Sequence, residues 1–311
     1  MVELGDRRAL SRAITLLEST RPEDEQAAEA LLEEILPRTG KSLRLGISGP
    51  PGVGKSTLID ALGLLAIERG KRVAVLAIDP SSAKTGGSIL GDKTRMGRLA
   101  AAQNSFIRPS ASRGERGGVA PHTREAILAC EAAGYDLVIV ETVGVGQAET
   151  AVSELVDCLL VLVSAAGGDE LQGMKRGLLE HGDVFAVTKA DGAERERAER
   201  AAVELTSALT LLGGSPRVLT LSAQTGDGLQ ELDATIDALA STARASGAFD
   251  ARRREQNRAW FRQALERGLV QRLRTDATVA ALEAELGARA ERGELSPRLA
   301  ARQLLAQLGS E

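Results

Sequence analysis

The sequence predicts an α/β protein built on a mostly parallel β-sheet that is covered by helices on both faces. Six short aliphatic runs alternate with longer stretches of helical periodicity, the order expected when crossover helices join successive strands. Aromatic residues make up only 2% of the chain, so aliphatic side chains must build the core. The sheet domain is expected over residues 41–242, with helical extensions at 1–40 and 243–311.

The N-terminal extension is predicted to contain two amphipathic helices. Apolar residues recur three or four positions apart between Leu10 and Ile35, and the pattern breaks near Arg21 and Pro22. The aliphatic runs begin after a second break at 37–41. They predict strands over Leu43–Ser48, Val73–Ile78, Leu137–Val140, Cys158–Ser164, Val184–Thr188 and Val218–Ser222. The stretches between them predict helices over Lys55–Arg69, Ala120–Ala133, Glu194–Leu212 and Leu229–Leu239.

The C-terminal extension shows no strand candidate beyond Ser241 and is predicted to be helical. Its apolar stripe has helical spacing and includes the single tryptophan of the chain. Charges of both signs surround this stripe. The helix therefore either has a solvated charged face over an ordinary apolar stripe, or uses the stripe as a homodimer interface. The stripe consists of Trp260, Phe261, Leu265, Leu269 and Leu273.

Composition excludes several classes of function. The 39 basic and 43 acidic residues give a net charge of −4, which argues against a protein that coats nucleic acid. Cys130 and Cys158 form no CxxC pair and are expected to be buried small hydrophobes in a reducing compartment. The first residues contain no apolar signal region, and the longest apolar run, 158–168, lies between Asp157 and Asp169. We therefore expect a cytoplasmic protein with no membrane partner.

A glycine-rich turn after the first strand carries the strongest functional signal. Residues 49–57 spell GPPGVGKST, which matches the phosphate-binding pattern GxxxxGK[ST] between a strand and a helix. Backbone amides of such a turn point at phosphate oxygens, Lys55 neutralises the β- and γ-phosphates, and the hydroxyl of Ser56 binds Mg²⁺. The motif predicts a P-loop nucleoside triphosphatase. Its expected nucleotide contacts are Gly49, Gly52, Val53, Gly54, Lys55, Ser56 and Thr57.

Three carboxylates are candidates for the magnesium shell. Asp79 ends the strand VAVLAI, Asp92 lies in the loop GGSILGDKT, and Glu141 ends the strand LVIV. Phosphate-bound Mg²⁺ takes a few carboxylates and keeps water ligands, so acids at strand ends fit this role. Glu141 opens the sequence ETVG, where many GTPases carry DxxG, which places the amide of Gly144 at the γ-phosphate.

The segment after the fifth predicted strand indicates guanine as the base. Thr188-Lys189-Ala190-Asp191 resembles the NKxD motif of GTPases, with Thr in place of Asn. A carboxylate at Asp191 accepts from the ring N–H and the exocyclic amine of guanine, whereas adenine offers no such pair. Lys189 is expected along the base plane, and Ser222-Ala223 resembles a segment whose backbone also contacts guanine. The change to Thr188 removes an amide that often braces this loop.

Taken together, these motifs resemble the methylmalonyl-CoA mutase-associated GTPase family, also catalogued as ArgK or LAO/AO transport proteins. The resemblance covers nearly the whole chain through GPPGVGKST, AIDPSSAKTGGSILGDKTRM, FIRPSASRGERGGVA, ETVGVGQAE, GGDELQGMKRG and TKAD. It implies a GTPase that docks on an adenosylcobalamin-dependent acyl-CoA mutase, gates delivery or removal of the cobalamin and protects the mutase from inactivation.

The same resemblance assigns roles to individual residues. Lys55 and Ser56 become the P-loop contacts, while Asp79, Asp92 and Glu141 form the shell around Mg²⁺ and the attacking water. The segment 168–177 matches an additional switch of the family, in which Asp169 and Lys175 respond to the mutase. Lys175 would bring positive charge to the γ-phosphate, as an arginine finger does.

Two further expectations concern rate and partner contact. No glutamine directly follows Gly144, because Val145 and Gly146 precede Gln147, so we expect slow intrinsic hydrolysis that the mutase accelerates. A glycine-rich loop carrying Arg108, Arg113 and Arg116 is either an ordinary basic surface or a segment that moves with nucleotide state.

Three other functions compete with this interpretation. A nickel or zinc metallochaperone GTPase would need soft or imidazole ligands, but the chain has only His122 and His181, neither near a cysteine pair. An ATPase for amino-acid uptake would need an adenine-tolerant pocket and a membrane partner, which Asp191 and the lack of an apolar span oppose. A protein that binds the nucleotide only as a structural ligand would release no phosphate.

Overall fold

The computed structural model describes residues 6–79, 96–111, 121–142, 152–165, 176–213, 217–275 and 277–308. The chain divides into two compact units, residues 1–250 and 251–311. Within the described residues, no helix combines the length and the apolar character that a membrane span requires.

The first unit is organised around a parallel sheet. Among the described residues the sheet has seven strands in the order β3-β2-β4-β1-β5-β6-β7, and every neighbouring pair is parallel. The strands are β1 (Leu43–Ser48), β2 (Val73–Asp79), β3 (Ser105–Ala111), β4 (Leu137–Thr142), β5 (Cys158–Ser164), β6 (Val184–Thr188) and β7 (Arg217–Thr220). The predicted α/β fold is therefore confirmed.

Helices cover both faces of this sheet. The first unit contains α1 (Arg7–Leu17), α2 (Pro22–Ile35), α3 (Lys55–Glu68), α4 (Gly97–Ala101), α5 (Pro121–Ala132), α6 (Arg176–His181), α7 (Arg195–Leu211) and α8 (Leu229–Ala245). Helices α3, α4 and α8 share one aliphatic core with alternate residues of β1, β2, β4, β5 and β6. Helix α5 packs on β2 and β4 outside that cluster, and α7 packs on β6 and β7. As expected, Cys130 and Cys158 are buried.

Strand β3 was not predicted from the sequence. Its residues SFIRPSA contain Pro109, which cannot donate a ladder hydrogen bond and is tolerated only at a sheet edge. In the part of the sheet that the structure describes, the strand lies at that edge and pairs only with β2. An edge strand can contain few aliphatic residues, which explains why the hydrophobic pattern did not reveal β3.

Arg108 also departs from its expected place in a loop. It lies on β3, and its guanidinium donates to the carbonyl of Ser11 at 3.2 Å and to the carboxylate of Glu18, both near α1. Arg108 therefore fastens the N-terminal helix to the sheet edge, which removes it from the proposed partner loop. Arg113 and Arg116 lie outside the described residues.

The second unit is entirely helical over the residues described. Helix α9 (Ala248–Thr275) leads into it, and α10 (Ala277–Glu291) packs against α11 (Pro297–Leu308). On α9, Phe261, Leu265 and Leu269 are 68%, 52% and 54% exposed. Three members of the expected apolar stripe thus lie on this helix and are open to solvent within one chain, whereas Trp260 is partly buried and the side chain of Leu273 is outside the described residues.

Candidate functional site

The candidate site lies at the carboxyl edge of the sheet, where β1 leads into α3. Strand β1 leads to β2 on one side of the sheet, whereas its neighbour β4 leads to β5 on the other side, so the connections that leave these two adjacent strands run toward opposite ends of the sheet. Ligands of open α/β sheets bind at such a switch point, beyond the carboxyl ends of the strands. Ser48 ends β1 and Lys55 begins α3, which makes residues 49–54 the loop at this point.

The glycines of this loop satisfy two different requirements. Gly49 approaches β5 so closely that a Cβ atom there would lie 2.6 Å from the carbonyl oxygen of Leu162. Gly54 precedes α3 with φ of +101°, a left-handed conformation that residues with a Cβ rarely adopt. The loop can therefore turn tightly and present its backbone amides with the N-terminus of α3, an arrangement suited to phosphate.

Lys55 brings a positive charge into this loop. Its side chain extends back over the turn, where Nζ donates to the carbonyl oxygens of Gly49 at 2.7 Å and Pro50 at 2.9 Å. The residue is only 8% exposed. A largely buried ammonium beside the positive end of a helix favours an anion at this position.

Ser56 and Glu141 converge next to the same loop. The hydroxyl of Ser56 donates to Oε1 of Glu141 at 3.0 Å, and Glu141 is 7% exposed near the end of β4. Next to it, the buried Thr142 donates to the Ser48 hydroxyl at 3.1 Å, which fixes β4 against β1. A hydroxyl and a carboxylate in contact supply the oxygen ligands that Mg²⁺ prefers, so these residues fit a phosphate-bound magnesium ion.

The remaining predicted members of the phosphate and metal shell are only partly described. Asp79 is the last residue of β2, in register with Ala111 of β3, and therefore lies at the carboxyl edge of the sheet. The structure does not describe its side chain. Asp92, Gly144 and Lys175 lie outside the described residues altogether.

Thr188 joins the loop that follows β6, residues 189–191 and here called the base loop, to the phosphate loop. Its buried hydroxyl lies 2.7 Å from the carbonyl oxygen of Val53 and 3.3 Å from that of Val163. A hydroxyl has one proton, so the nearer carbonyl, in the phosphate loop, is the main acceptor. Thr188 lacks the amide that often braces this loop, but its hydroxyl reaches the phosphate loop itself. The sequence offered one signal for this contact, which was a residue with a hydroxyl group at the end of a buried strand.

Asp191 is oriented by the loop that follows β7. The buried hydroxyl of Ser222 donates to Oδ2 of Asp191, and the amide of Ala190 donates to the carbonyl of Leu221 at 3.0 Å. These bonds fix one oxygen of the carboxylate and tie the two loops together. The neighbouring Lys189 is exposed and adopts φ of +60°, which is uncommon for a residue with a side chain.

The Ser222 loop is itself a closed turn. The amide of Ser222 donates to the carbonyl of Asp227 at 3.0 Å, and the amide of Gly226 donates back to Ser222 at the same distance. The Thr225 amide also bonds to the Ser222 hydroxyl at 3.3 Å. Ala223, partly buried against the core, follows Ser222 at the start of this turn. The turn holds the hydroxyl that orients Asp191.

The fold and the two linked loops define a class of protein. A phosphate loop between β1 and α3, joined to a base loop of the guanine type after β6, is the arrangement of a P-loop GTP-binding protein. The family described as methylmalonyl Co-A mutase-associated GTPase MeaB matches residues 10–278. The chain belongs to this family, and it is a GTPase that binds guanine nucleotide.

Similar proteins span nearly the whole chain. A probable GTPase of Mycobacterium tuberculosis is 51% identical over 306 residues, which cover 97% of this chain and 91% of that protein. The mouse methylmalonic aciduria type A homolog, a mitochondrial protein, is 42% identical over 97% of this chain and 76% of its own length. Among solved structures, a LAO/AO transport system kinase is 36% identical, with a TM-score of 0.77 and coverage of 99% and 95%.

Proposed function

We propose that this GTPase acts as the chaperone of an adenosylcobalamin-dependent acyl-CoA mutase, methylmalonyl-CoA mutase or a close relative. GTP binding and hydrolysis would time the loading of the cobalamin and protect the mutase from inactivation. The observation that carries this proposal is the match to a mutase-associated GTPase family over residues 10–278, which includes both nucleotide loops.

The phosphate loop supplies the groups for hydrolysis. Water attacks the γ-phosphate in line, and charge on the phosphoryl oxygens is stabilised by Lys55 and the N-terminus of α3. Mg²⁺ held by Ser56, Glu141, Asp79 and Asp92 would neutralise further phosphate charge. Support for this set comes from the contact between the Ser56 hydroxyl and the Glu141 carboxylate.

Base selection is assigned to the second loop. The Asp191 carboxylate, with one oxygen held by Ser222, would accept hydrogen bonds from guanine. Lys189 would lie along the base plane, and the backbone of Ser222 and Ala223 would also contact the base. Unpaired buried polar groups reject a wrong ligand by about 10⁴-fold, so this carboxylate suffices to favour GTP over ATP.

Docking of the mutase is proposed to complete the site through Lys175. A positive group added to the γ-phosphate is worth about 10³-fold to 10⁵-fold in rate in related phosphoryl transfers. The test is phosphate release by the purified chain, with and without the mutase. We expect slow release alone and faster release with the mutase, and Lys175→Ala should reduce the ratio of the two rates to about one. Equal stimulation of the wild type and the variant would contradict the assignment, and a wild type that the mutase never stimulates would contradict the chaperone function.

A second copy of the chain is proposed as a further partner, through helix α9. Phe261, Leu265 and Leu269 follow one another every four residues, and all three are more than half exposed. Such a stripe fits a second helix of the same kind. Light scattering should give the mass of a dimer for the wild type and of a monomer for Leu265→Glu. Val203→Glu, at another exposed apolar position on α7, is the matched control and should remain dimeric.

A further inference from the structure

The ends of β1 and β4 carry two side-chain hydroxyls on the face of the sheet opposite α3. Ile47 of β1 and Glu141 of β4 lie opposite each other in the parallel register, so the next residues along, Ser48 and Thr142, form the following pair. Successive side chains of a strand point to opposite faces of the sheet. Ile47 packs in the core shared with α3, so the pair that follows it lies on the other face.

A hydrogen bond joins these two hydroxyls. Oγ1 of Thr142 donates to Oγ of Ser48 at 3.1 Å. The carbonyl oxygen of Ile47 lies farther from the same hydroxyl, at 3.5 Å, which is the limit of a hydrogen bond. A threonine hydroxyl has one proton, so Ser48 is its main acceptor. Both residues are fully buried, so water cannot replace a partner that is removed.

The residues on either side of this bond contact the first two residues of α3. Gly49 follows the serine, and its carbonyl oxygen accepts from Nζ of Lys55 at 2.7 Å. Glu141 precedes the threonine, and its Oε1 accepts from the hydroxyl of Ser56 at 3.0 Å. Because Lys55 and Ser56 are consecutive, these three hydrogen bonds and the backbone between them close a ring. The ring consists of Ser48, Gly49, Lys55, Ser56, Glu141 and Thr142.

The hydroxyl bond contributes the position of β4 to this ring. The contact of Lys55 joins residues six apart in the sequence, so it is local to the phosphate loop and forms without β4. The contact between Ser56 and Glu141 joins residues 85 apart, so its geometry depends on how the end of β4 lies beside β1. The register of the two strands ends with the pair of Ile47 and Glu141. The hydroxyl bond therefore extends the connection one residue beyond the carboxylate.

We propose that Ser48 and Thr142 are positioning residues for the magnesium ion that accompanies the nucleotide. Their bond holds the end of β4 in place, so that the carboxylate of Glu141 stays beside the hydroxyl of Ser56. Both side chains point away from α3, so they act through Glu141 and not on the ion itself. This inference rests on the proposed function, which gives Ser56 and Glu141 a place in the metal shell.

The test measures metal dependence through binding. Release of a fluorescent, non-hydrolysable GTP analogue is followed as Mg²⁺ is raised, and GDP affinity in EDTA gives a metal-free reference. Groups that orient metal ligands typically change metal affinity 10-fold to 100-fold when they are removed. Thr142→Val keeps the shape of the side chain and should raise the half-saturating Mg²⁺ concentration about tenfold. Its GDP affinity in EDTA should stay within about twofold of the wild-type value, because the contact of Lys55 does not need β4.

Two matched variants separate positioning from the general effect of removing a buried hydroxyl. Thr142→Ser keeps the hydroxyl and should show the Mg²⁺ dependence of the wild type. Thr123, in the first turn of α5, is also fully buried, and its hydroxyl has no hydrogen-bond partner among the described residues. Thr123→Val therefore removes a buried hydroxyl without breaking such a bond, and its Mg²⁺ dependence should match the wild type. Urea unfolding checks that each variant is folded.

Combined variants test whether the two hydroxyls act as one bond and whether they act through Glu141. Ser48→Ala should shift Mg²⁺ dependence in the same direction as Thr142→Val. The double variant should shift it no further than the larger single change, because both substitutions remove the same bond. Glu141→Ala removes the proposed ligand itself, so adding Thr142→Val to it should cause no further shift.

The outcomes distinguish the inference from the function on which it rests. Wild-type Mg²⁺ dependence in folded Thr142→Val and Ser48→Ala proteins would overturn the positioning role and leave the magnesium site in place. A double variant whose shift is the product of the single shifts, or a further shift on top of Glu141→Ala, would also overturn it. If analogue release from the wild type does not respond to Mg²⁺, the magnesium site itself is wrong and the inference falls with it. Should Thr142→Val fail to fold, Ser48→Ala, which removes a single oxygen atom, decides the question.

Discussion

Replacing Thr188 with valine tests the link between the base loop and the phosphate loop. The two side chains have nearly the same shape, so the change removes one hydroxyl, whose nearest acceptor is the Val53 carbonyl at 2.7 Å. A buried hydrogen bond contributes about 1 kcal/mol net, and a carbonyl left unsatisfied costs about 1 to 3 kcal/mol. Thr188→Val should therefore lose about 1 to 3 kcal/mol of unfolding free energy.

Nucleotide affinity should change as well, because the lost bond supports the loop that binds phosphate. We expect the phosphate loop of the free variant to shift and thereby to regain about 1.4 kcal/mol of this cost. GDP binding must then reverse that shift, which weakens GDP affinity about tenfold. Chemical denaturation and titration with fluorescent GDP measure the two quantities. Thr188→Ser keeps the hydroxyl and is the matched control. Its GDP affinity should lie within about twofold of the wild-type value, a difference in binding free energy below about 0.5 kcal/mol. A valine variant that binds GDP as tightly as the serine variant would refute the link.

Three other predictions concern the base, the core and pH. Asp191→Asn should move the preference from guanine toward xanthine, because the amide presents a donor where the carboxylate accepted; competition with GTP and XTP measures it. Arg44 and Glu131 form a buried ion pair at 2.8 Å. Arg44→Met should therefore cost about 3 to 5 kcal/mol in urea unfolding, and adding Glu131→Leu should recover most of it. His122 donates to Leu17 and lies beside Glu125, whose hydrogen bond raises the pKa of the histidine above 6.5. The stability that it contributes should be full below pH 6.5 and lost as pH rises through the elevated pKa, so the difference in unfolding free energy between wild type and His122→Gln should shrink from pH 6 to pH 8.

The interior of the fold was predictable because its strands are uniform in character. Leu43–Ser48, Cys158–Ser164 and Val184–Thr188 have the bounds expected from the sequence. All three strands are buried on both faces; Cys158–Ser164 and Val184–Thr188 are nearly continuous apolar runs, whereas in β1 the residues Leu43, Leu45 and Ile47 alternate with Arg44 and Gly46. Strand β3 escaped prediction because an edge strand needs fewer apolar residues and tolerates Pro109.

The phosphate loop could be predicted for a different reason. Phosphate recognition is performed by consecutive residues, so the glycines, Lys55 and Ser56 appear together in one motif. Contacts between distant segments leave no such pattern. Arg108 is separated from Glu18 by 90 residues, and the sequence placed it in a loop although it fastens α1 to the sheet.

Position 188 depends both on the local sequence pattern of its strand and on contacts with distant segments of the chain. Two buried carbonyls, those of Val53 and Val163, lie within reach of this side chain, so the position requires a hydrogen-bond donor. Threonine meets that requirement and continues strand β6, which favours β-branched residues. Asp191 is oriented separately, by the Ser222 hydroxyl. We therefore expect that replacement of the usual asparagine changes how the loop is braced and leaves base recognition by Asp191 unchanged. Thr188→Asn should accordingly leave the preference for GTP over XTP unchanged, and a change in that preference would show that the brace and the base contact are not independent.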